Sequence, residues 1–205
     1  MIKIFYKNKF IQLSENIADN NSLTKISFSN EELVKNELNI FLDTNNSDCL
    51  NIYDIKELDF LKFFNTYFTF IRAAGGIISD TDKRVIMIER LGYIDLPKGK
   101  VEINENIKTA AIREVCEECG IKQNELTKVN EFDKTYHIYP YKGRYALKET
   151  SWFTMLYTGN FCFAPQIEED ISSVFMVDEN KIEKYFEKTY STLIELLTKY
   201  LKTNN

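Results

Sequence analysis

Residues 106–120, NIKTAAIREVCEECG, restrict the fold more than any other stretch of the chain. Asn106 has the short oxygen-bearing side chain that caps a helix start. Gly120 stands where a helix commonly ends in a left-handed residue. Between them, at 3.6 residues per turn, Ile107, Ala111, Val115 and Cys119, with Ile112 and Cys116, fill one arc. Glu114, Glu117 and Glu118 fill the adjoining arc of roughly 100°. The segment predicts a helix over 107–119 with one apolar and one acidic face.

Strands are readable on both sides of this helix, at 68–78, 84–90, about 129–139, 146–158 and 173–177. Asp178 reads as the N-cap of further helical periodicity running towards Leu201, broken near Thr189–Ser191. Strands flanked by helices predict a mixed α/β sheet covered on both faces. Residues 1–66 read as a separate small α+β unit ahead of a domain at 67–205. In it IKIFY and FIQLS alternate as a hairpin around Lys7-Asn8-Lys9. A capping box at Ser29-Asn-Glu-Glu32 opens a helix through Leu33, Val34, Leu38 and Phe41. Asp54-Ile-Lys-Glu57 opens a second, ending near Phe64. Five of the seven glycines (Gly75, Gly76, Gly92, Gly99, Gly120) lie in positions 75–120, which marks the middle of the chain as the working region.

With 205 residues, 44% of them hydrophobic, the chain can bury a substantial core. Its net charge of −5 argues against a general role in binding nucleic acid. An acidic protein still handles phosphates if it recruits divalent cations. MIKIFYKNKFIQLSEN lacks the unbroken apolar run of a signal peptide. No window approaches the ~20 apolar residues of a membrane span. The chain is therefore expected in the cytoplasm with no membrane partner. Cys49, Cys116, Cys119 and Cys162 are too scattered for a disulfide framework and are expected as small core residues. With His137 as the single histidine, a His-rich metal site is excluded.

Glutamates at i and i+4 repel by a few tenths of a kcal/mol, so Glu114 with Glu118 is a poor choice for a merely solvated face. The acidic arc follows a loop, Leu96-Pro97-Lys98-Gly99-Lys100, whose glycine and lysines suit the approach of phosphate. A bound cation would relieve the repulsion. Clustered hard oxygen ligands suit Mg2+, or Mn2+, rather than zinc.

The whole segment resembles the Nudix box, G-x5-E-x7-R-E-U-x-E-E-x-G-U, where U is aliphatic. Gly99, Glu105, Arg113, Glu114, Val115, Glu117, Glu118, Gly120 and Ile121 occupy every fixed position. AAGGII, VIMIER and DLPKGK ahead of the box are similar to the strands that lead into it in that family. The resemblance covers about residues 68–180 and implies an α/β/α sandwich. It implies Glu114 and Glu118 as principal metal ligands and catalytic residues, with Glu117 as a further ligand. The carbonyl of Lys98 or Gly99 would be a main-chain ligand, and Glu168 or Glu169 would be the acid supplied by a later loop. Gly99, Glu105, Arg113 and Gly120 would be structural, Glu105 and Arg113 pairing to hold the loop against the helix.

Such a site implies a metal-dependent hydrolase cleaving a pyrophosphate linkage in a nucleotide-type small molecule. Arg90, Lys98 and Lys100 are the candidates for stabilising phosphate charge. The general base is either a glutamate of the cluster or His137. The PKGK turn is similar to that of dinucleoside polyphosphate hydrolases and of enzymes acting on (d)NTPs. Tyr139, 18 positions after Ile121, is the candidate base-stacking residue. Pro140 keeps an ADP-ribose or nucleotide-sugar pyrophosphatase as the alternative. A non-catalytic nucleotide sensor is disfavoured by the intact box. Residues 1–66 are open to a role in homo-oligomerisation.

Overall fold

A computed structural model describes residues 1–17, 24–44 and 47–204, the side chains of 57, 58 and 204 excepted. In chain order the elements are β1 (Ile2–Tyr6), β2 (Lys9–Leu13), β3 (Thr24–Ser27), α1 (Glu31–Asp43), β4 (Cys49–Tyr53), α2 (Glu57–Tyr67), β5 (Thr69–Ser79), β6 (Arg84–Arg90), β7 (Tyr93–Asp95), β8 (Lys98–Lys100), α3 (Ile107–Cys119), β9 (Leu126–Tyr141), β10 (Arg144–Tyr157), β11 (Ile171–Asp178) and α4 (Ser191–Asn204). Short 3-10 stretches lie at Gln123–Glu125, Ile167–Glu169 and Glu179–Lys188. Parallel and antiparallel pairs occur together, which makes the fold the mixed α/β type implied by the sequence. No helix among the described residues is long and apolar enough to cross a membrane.

The chain forms two compact units, Met1–Ile71 with Tyr136–Lys148, and Arg72–Thr135 with Glu149–Asn205. In the first, β1 pairs antiparallel with β2 and parallel with β9, while β2 and β3 each run parallel to β4. Alternate residues (Ile4, Tyr6, Ile11, Leu13, Leu50, Ile52) pack with Val34 and Leu38 of α1 and Phe60 and Phe64 of α2 in one core. The tip of the β9–β10 hairpin joins this core through Tyr136, Ile138 and Leu147.

The second unit has a helix on each face of its sheet. Ile86 and Ile88 of β6 pack with Ala111, Val115 and Cys119 of α3. Their neighbours Val85 and Met87 pack with Leu193, Leu196 and Leu197 of α4. The period-two alternation of a strand sends successive side chains to opposite faces, so one short strand serves both cores. This is the layered arrangement that the box resemblance implies.

Local details differ from the sequence expectations. Asn30, rather than Ser29, caps α1, its Oδ1 accepting the Leu33 N–H at 3.1 Å, while the Ser29 hydroxyl is engaged by Ser27. Asp54 opens no helix: it sits at φ 60° and accepts a hydrogen bond from Ser27 Oγ, and α2 begins at Glu57 and runs on to Tyr67. The side chain of Glu57 lies outside the described residues. Leu96–Lys100 is not all loop, because Lys98–Lys100 pairs with Ala73–Gly75 of β5. Asp178 pairs with Lys181 instead of capping, and a 3-10 stretch rather than an α-helix follows it. The break at Thr189–Ser191 is where α4 starts. Cys49 and Cys119 are buried, but Cys162 is exposed because it falls in the irregular segment after β10.

Gly120 closes α3 at φ 66°, ψ 28°. A Cβ there would lie 2.6 Å from the carbonyl oxygen of Ala164 and from its Cβ. Gly120→Ala therefore combines left-handed strain with a backbone clash, and is expected to cost about 1–3 kcal/mol. Urea denaturation measures this. An unchanged midpoint would mean that the helix end is placed wrongly.

Candidate active site

α3 begins where Asn106 Oδ1 accepts the N–H groups of Lys108 and Thr109. Its apolar stripe anchors it to the core of the second unit and so fixes where its acidic residues project. Glu114 and Glu118, one turn apart, are carried into buried positions.

Glu118 is 0% exposed. Its Oε2 accepts the Lys98 N–H at 2.8 Å. Its Oε1 has no hydrogen-bond partner and faces Arg90 Nη1 at 3.6 Å. Burial pushes this carboxyl up to about 7, overriding the opposing pull of Lys98 and Arg90, with Asp95 pushing the same way. Glu114 is also raised by burial, against its Arg113 partner, with Glu117 and Glu169 adding repulsion. A Cβ on Gly99 would stand 1.9 Å from the Glu114 carboxylate, so only glycine lets that side chain lie against the β8 backbone.

Arg113 ties the segment together. Its guanidinium makes a two-bond fork with Glu105 (2.8 and 2.9 Å) and reaches Glu114 at 2.8 Å, Glu117 at 2.9 Å and the Lys100 carbonyl at 3.0 Å. Arg113 and the Glu102 N–H hold the Glu105 carboxyl down at about 2. The loop between β8 and α3 is thus clamped to the helix by a charge-assisted pair of strong geometry.

Arg90 and Lys98 are engaged by acids. Arg90 bridges Glu118 and, at 3.1 Å, Glu169. Glu168 is exposed. The Lys98 ammonium lies 2.6 Å from buried Asp95, a residue that the sequence reading did not single out. Lys100 has an exposed side chain on β8. Glu105, Arg113, Glu114, Glu117, Glu118, Glu169, Arg90, Lys98 and Gly99 are therefore gathered within the second unit. Tyr139 belongs to the first unit, half-buried on β9, with its ring stacked on His137 at 5.1 Å and Lys148 Nζ 5.7 Å from its centre.

Among the described residues no three His, Cys, Asp or Glu side chains stand together at metal-ligating distance, Glu114 and Glu117 being turned onto Arg113. The donor set nevertheless fits a hard divalent cation: carboxylate oxygens only, one of them buried and without a hydrogen-bond donor.

The Nudix domain model matches residues 69–199, well over half of the chain, and the chain belongs to this family. Two curated RNA pyrophosphohydrolases are similar to it. That of Pelagibacter ubique is 30% identical over 95 residues, 42% of this chain and 60% of that protein. That of Roseobacter denitrificans is 36% identical over 72 residues, 31% and 45% respectively. The match thus spans 60% or less of these relatives. Among solved structures, a Caenorhabditis elegans Ap4A hydrolase complex superposes with a TM-score of 0.51 at 21% identity, over 63% of this chain and 94% of that one. This likeness concerns the fold alone.

A carboxyl raised by folding from 4.5 to about 7 prefers its neutral form in the native protein. Its contribution to stability is complete below the unfolded value and is lost as pH rises through the folded one. In chelator, wild type is expected to lose stability relative to Glu118→Gln between about pH 5 and about pH 8. Thermal midpoints of both proteins across that range are the check. Parallel profiles would contradict the burial of an ionisable group at this position.

Proposed function

We propose that this chain is a divalent-metal-dependent pyrophosphohydrolase acting on a nucleoside polyphosphate, with magnesium as the working ion. The observation that carries the reading is the Glu118 carboxylate, buried in a group of acids with one oxygen lacking a donor. A purely structural acid would be expected to satisfy both oxygens, since a buried unsatisfied polar atom costs about 1–3 kcal/mol. Glu114, Glu117, Glu118 and Glu169 would hold the ion. When bound, such an ion neutralises phosphate charge and acidifies a water.

The chain's own residues then have separable tasks. Arg113, by holding Glu105, Glu114 and the Lys100 carbonyl together, fixes the spacing between β8 and α3. Arg90 keeps Glu118 and Glu169 on one counter-charge, and exchange of that contact for a cation would leave its guanidinium to meet a phosphate oxygen. Lys98 offers a backbone N–H to Glu118, and its ammonium, anchored by Asp95, is a second phosphate contact. Lys100 is the third.

The PKGK turn supports a dinucleoside polyphosphate or a (d)NTP as the substrate class. The name shared by the two curated relatives supports a second reading, a triphosphate at an RNA 5′ end. The test is hydrolysis by the purified protein of ATP, a diadenosine polyphosphate, ADP-ribose and 5′-triphosphorylated RNA with magnesium or manganese. Glu118→Gln should reduce kcat by about 10²-fold or more while the protein stays folded. Activity of the variant within about threefold of wild type at saturating metal would remove Glu118 from the site.

A further inference from the structure

Two tyrosines outside the box remain unexplained by this chemistry. β6 and β7 form a tight hairpin in which Arg90 pairs with Tyr93 across a two-residue turn, Leu91–Gly92, both at positive φ. Residues paired across an antiparallel ladder share a face, so Tyr93 projects on the same side as Arg90. Asp95, two positions along the strand or ~7 Å away, projects there too. Ile94, between them, turns the other way into the α4 core. An isolated parallel bridge joins Ile94 to Thr189. This parallel bridge carries Tyr190, the residue ahead of α4, alongside Asp95 and within stacking reach of Tyr93.

The two rings stack with centroids 4.7 Å apart and planes 23° from parallel. Tyr93 is nevertheless 47% exposed, Tyr190 42% and the adjacent Leu91 66%. Partial burial raises the Tyr190 hydroxyl, with Asp95 and Tyr93 acting in the same direction and Arg90 against, which places this ring beside the charged groups that line Glu118. An exposed aromatic pair ordered by its own stacking, with Arg90 across the ladder from Tyr93 and Asp95 close to Tyr190, offers a flat π surface beside the guanidinium that contacts Glu118 and Glu169.

The ligand that fits is planar and aromatic at one end and anionic at the other. We propose that Tyr93 and Tyr190 form the nucleobase-binding platform of this site, the base stacking on the exposed ring faces while its phosphates run towards Arg90 and the glutamates. This inference rests on the pyrophosphohydrolase reading for the position of the phosphates, and it assigns the base to the second unit rather than to Tyr139. A stacking platform of this kind tolerates different bases, because every base presents a π face.

The test is calorimetric titration of the full chain, with magnesium, against α,β-methylene-ATP and against inorganic tripolyphosphate, which has the anhydrides but no base. Tyr93→Ala and Tyr190→Ala should each weaken the nucleotide by about five- to a hundredfold and leave tripolyphosphate unchanged. Tyr93→Phe and Tyr190→Phe should bind as wild type. Should an alanine variant melt early, Tyr190→Leu and Tyr93→Leu keep apolar bulk without the π face and should show the same selective loss. Unchanged nucleotide affinity in every variant, equal loss for both ligands, or a loss seen only in Tyr139→Ala would each overturn the platform. Hydrolysis by wild type of ATP, a diadenosine polyphosphate, ADP-ribose and 5′-triphosphorylated RNA is scored separately. Ring-dependent nucleotide binding with none of the four hydrolysed would uphold the platform and sink the hydrolase reading.

Discussion

Glu118 brings an ionisable carboxyl to a position with no solvent exposure, held by one backbone N–H and faced by one guanidinium. Burying an unpaired charge is among the costliest acts in folding, and the surroundings of this residue are arranged around it. α3 is pinned from below by Ala111, Val115 and Cys119, so it cannot rotate the carboxylate out to water. β8 passes close enough to donate the Lys98 N–H, and Gly99 leaves room for the neighbouring Glu114 carboxylate. Arg113 and Arg90 then distribute two positive charges among Glu105, Glu114, Glu117, Glu118 and Glu169. Two guanidiniums thus serve five carboxyl groups, of which Glu114 and Glu118 are raised by burial and would ionise more readily beside a divalent ion.

The same arrangement explains why the basic residues are paired. A lysine or arginine near buried acids is stabilised by them, as Lys98 is by Asp95 and Arg90 by Glu169. The aromatic pair at Tyr93 and Tyr190 lies on the same side of β7 as Asp95.

How far this was legible in the sequence depends on how local each determinant is. The α3 helix, its Asn106 cap and its Gly120 end are written within fifteen consecutive residues and appear as read. β6 is likewise at Arg84–Arg90 as its pattern predicts. β4 left no alternating signature because both of its faces are covered: Cys49, Leu50, Asn51 and Ile52 are all buried, so the pattern that marks a half-buried strand is absent. β7 and β8 are only three residues each, and Pro97 between them made a loop the natural reading. Tyr93 and Tyr190 are far apart in sequence and meet beside the Ile94–Thr189 bridge, a contact that no periodicity announces. The packing of the β9–β10 tip in the first unit is equally non-local, since a strand reads the same whichever neighbours it finds.

The proposal that the acidic group on α3 takes a divalent cation can be tested without any substrate. Mn2+ is titrated into chelator-stripped protein while the electron paramagnetic resonance signal of the free ion is followed. With wild type the free-ion signal should be suppressed until the site fills, and Mg2+ should restore it by competition. In Glu114→Gln/Glu118→Gln, confirmed as folded by its melting curve, the signal should rise from the first addition as it does in buffer. Equal Mn2+ binding by the two proteins would contradict the assignment of these carboxylates as the cation's ligands.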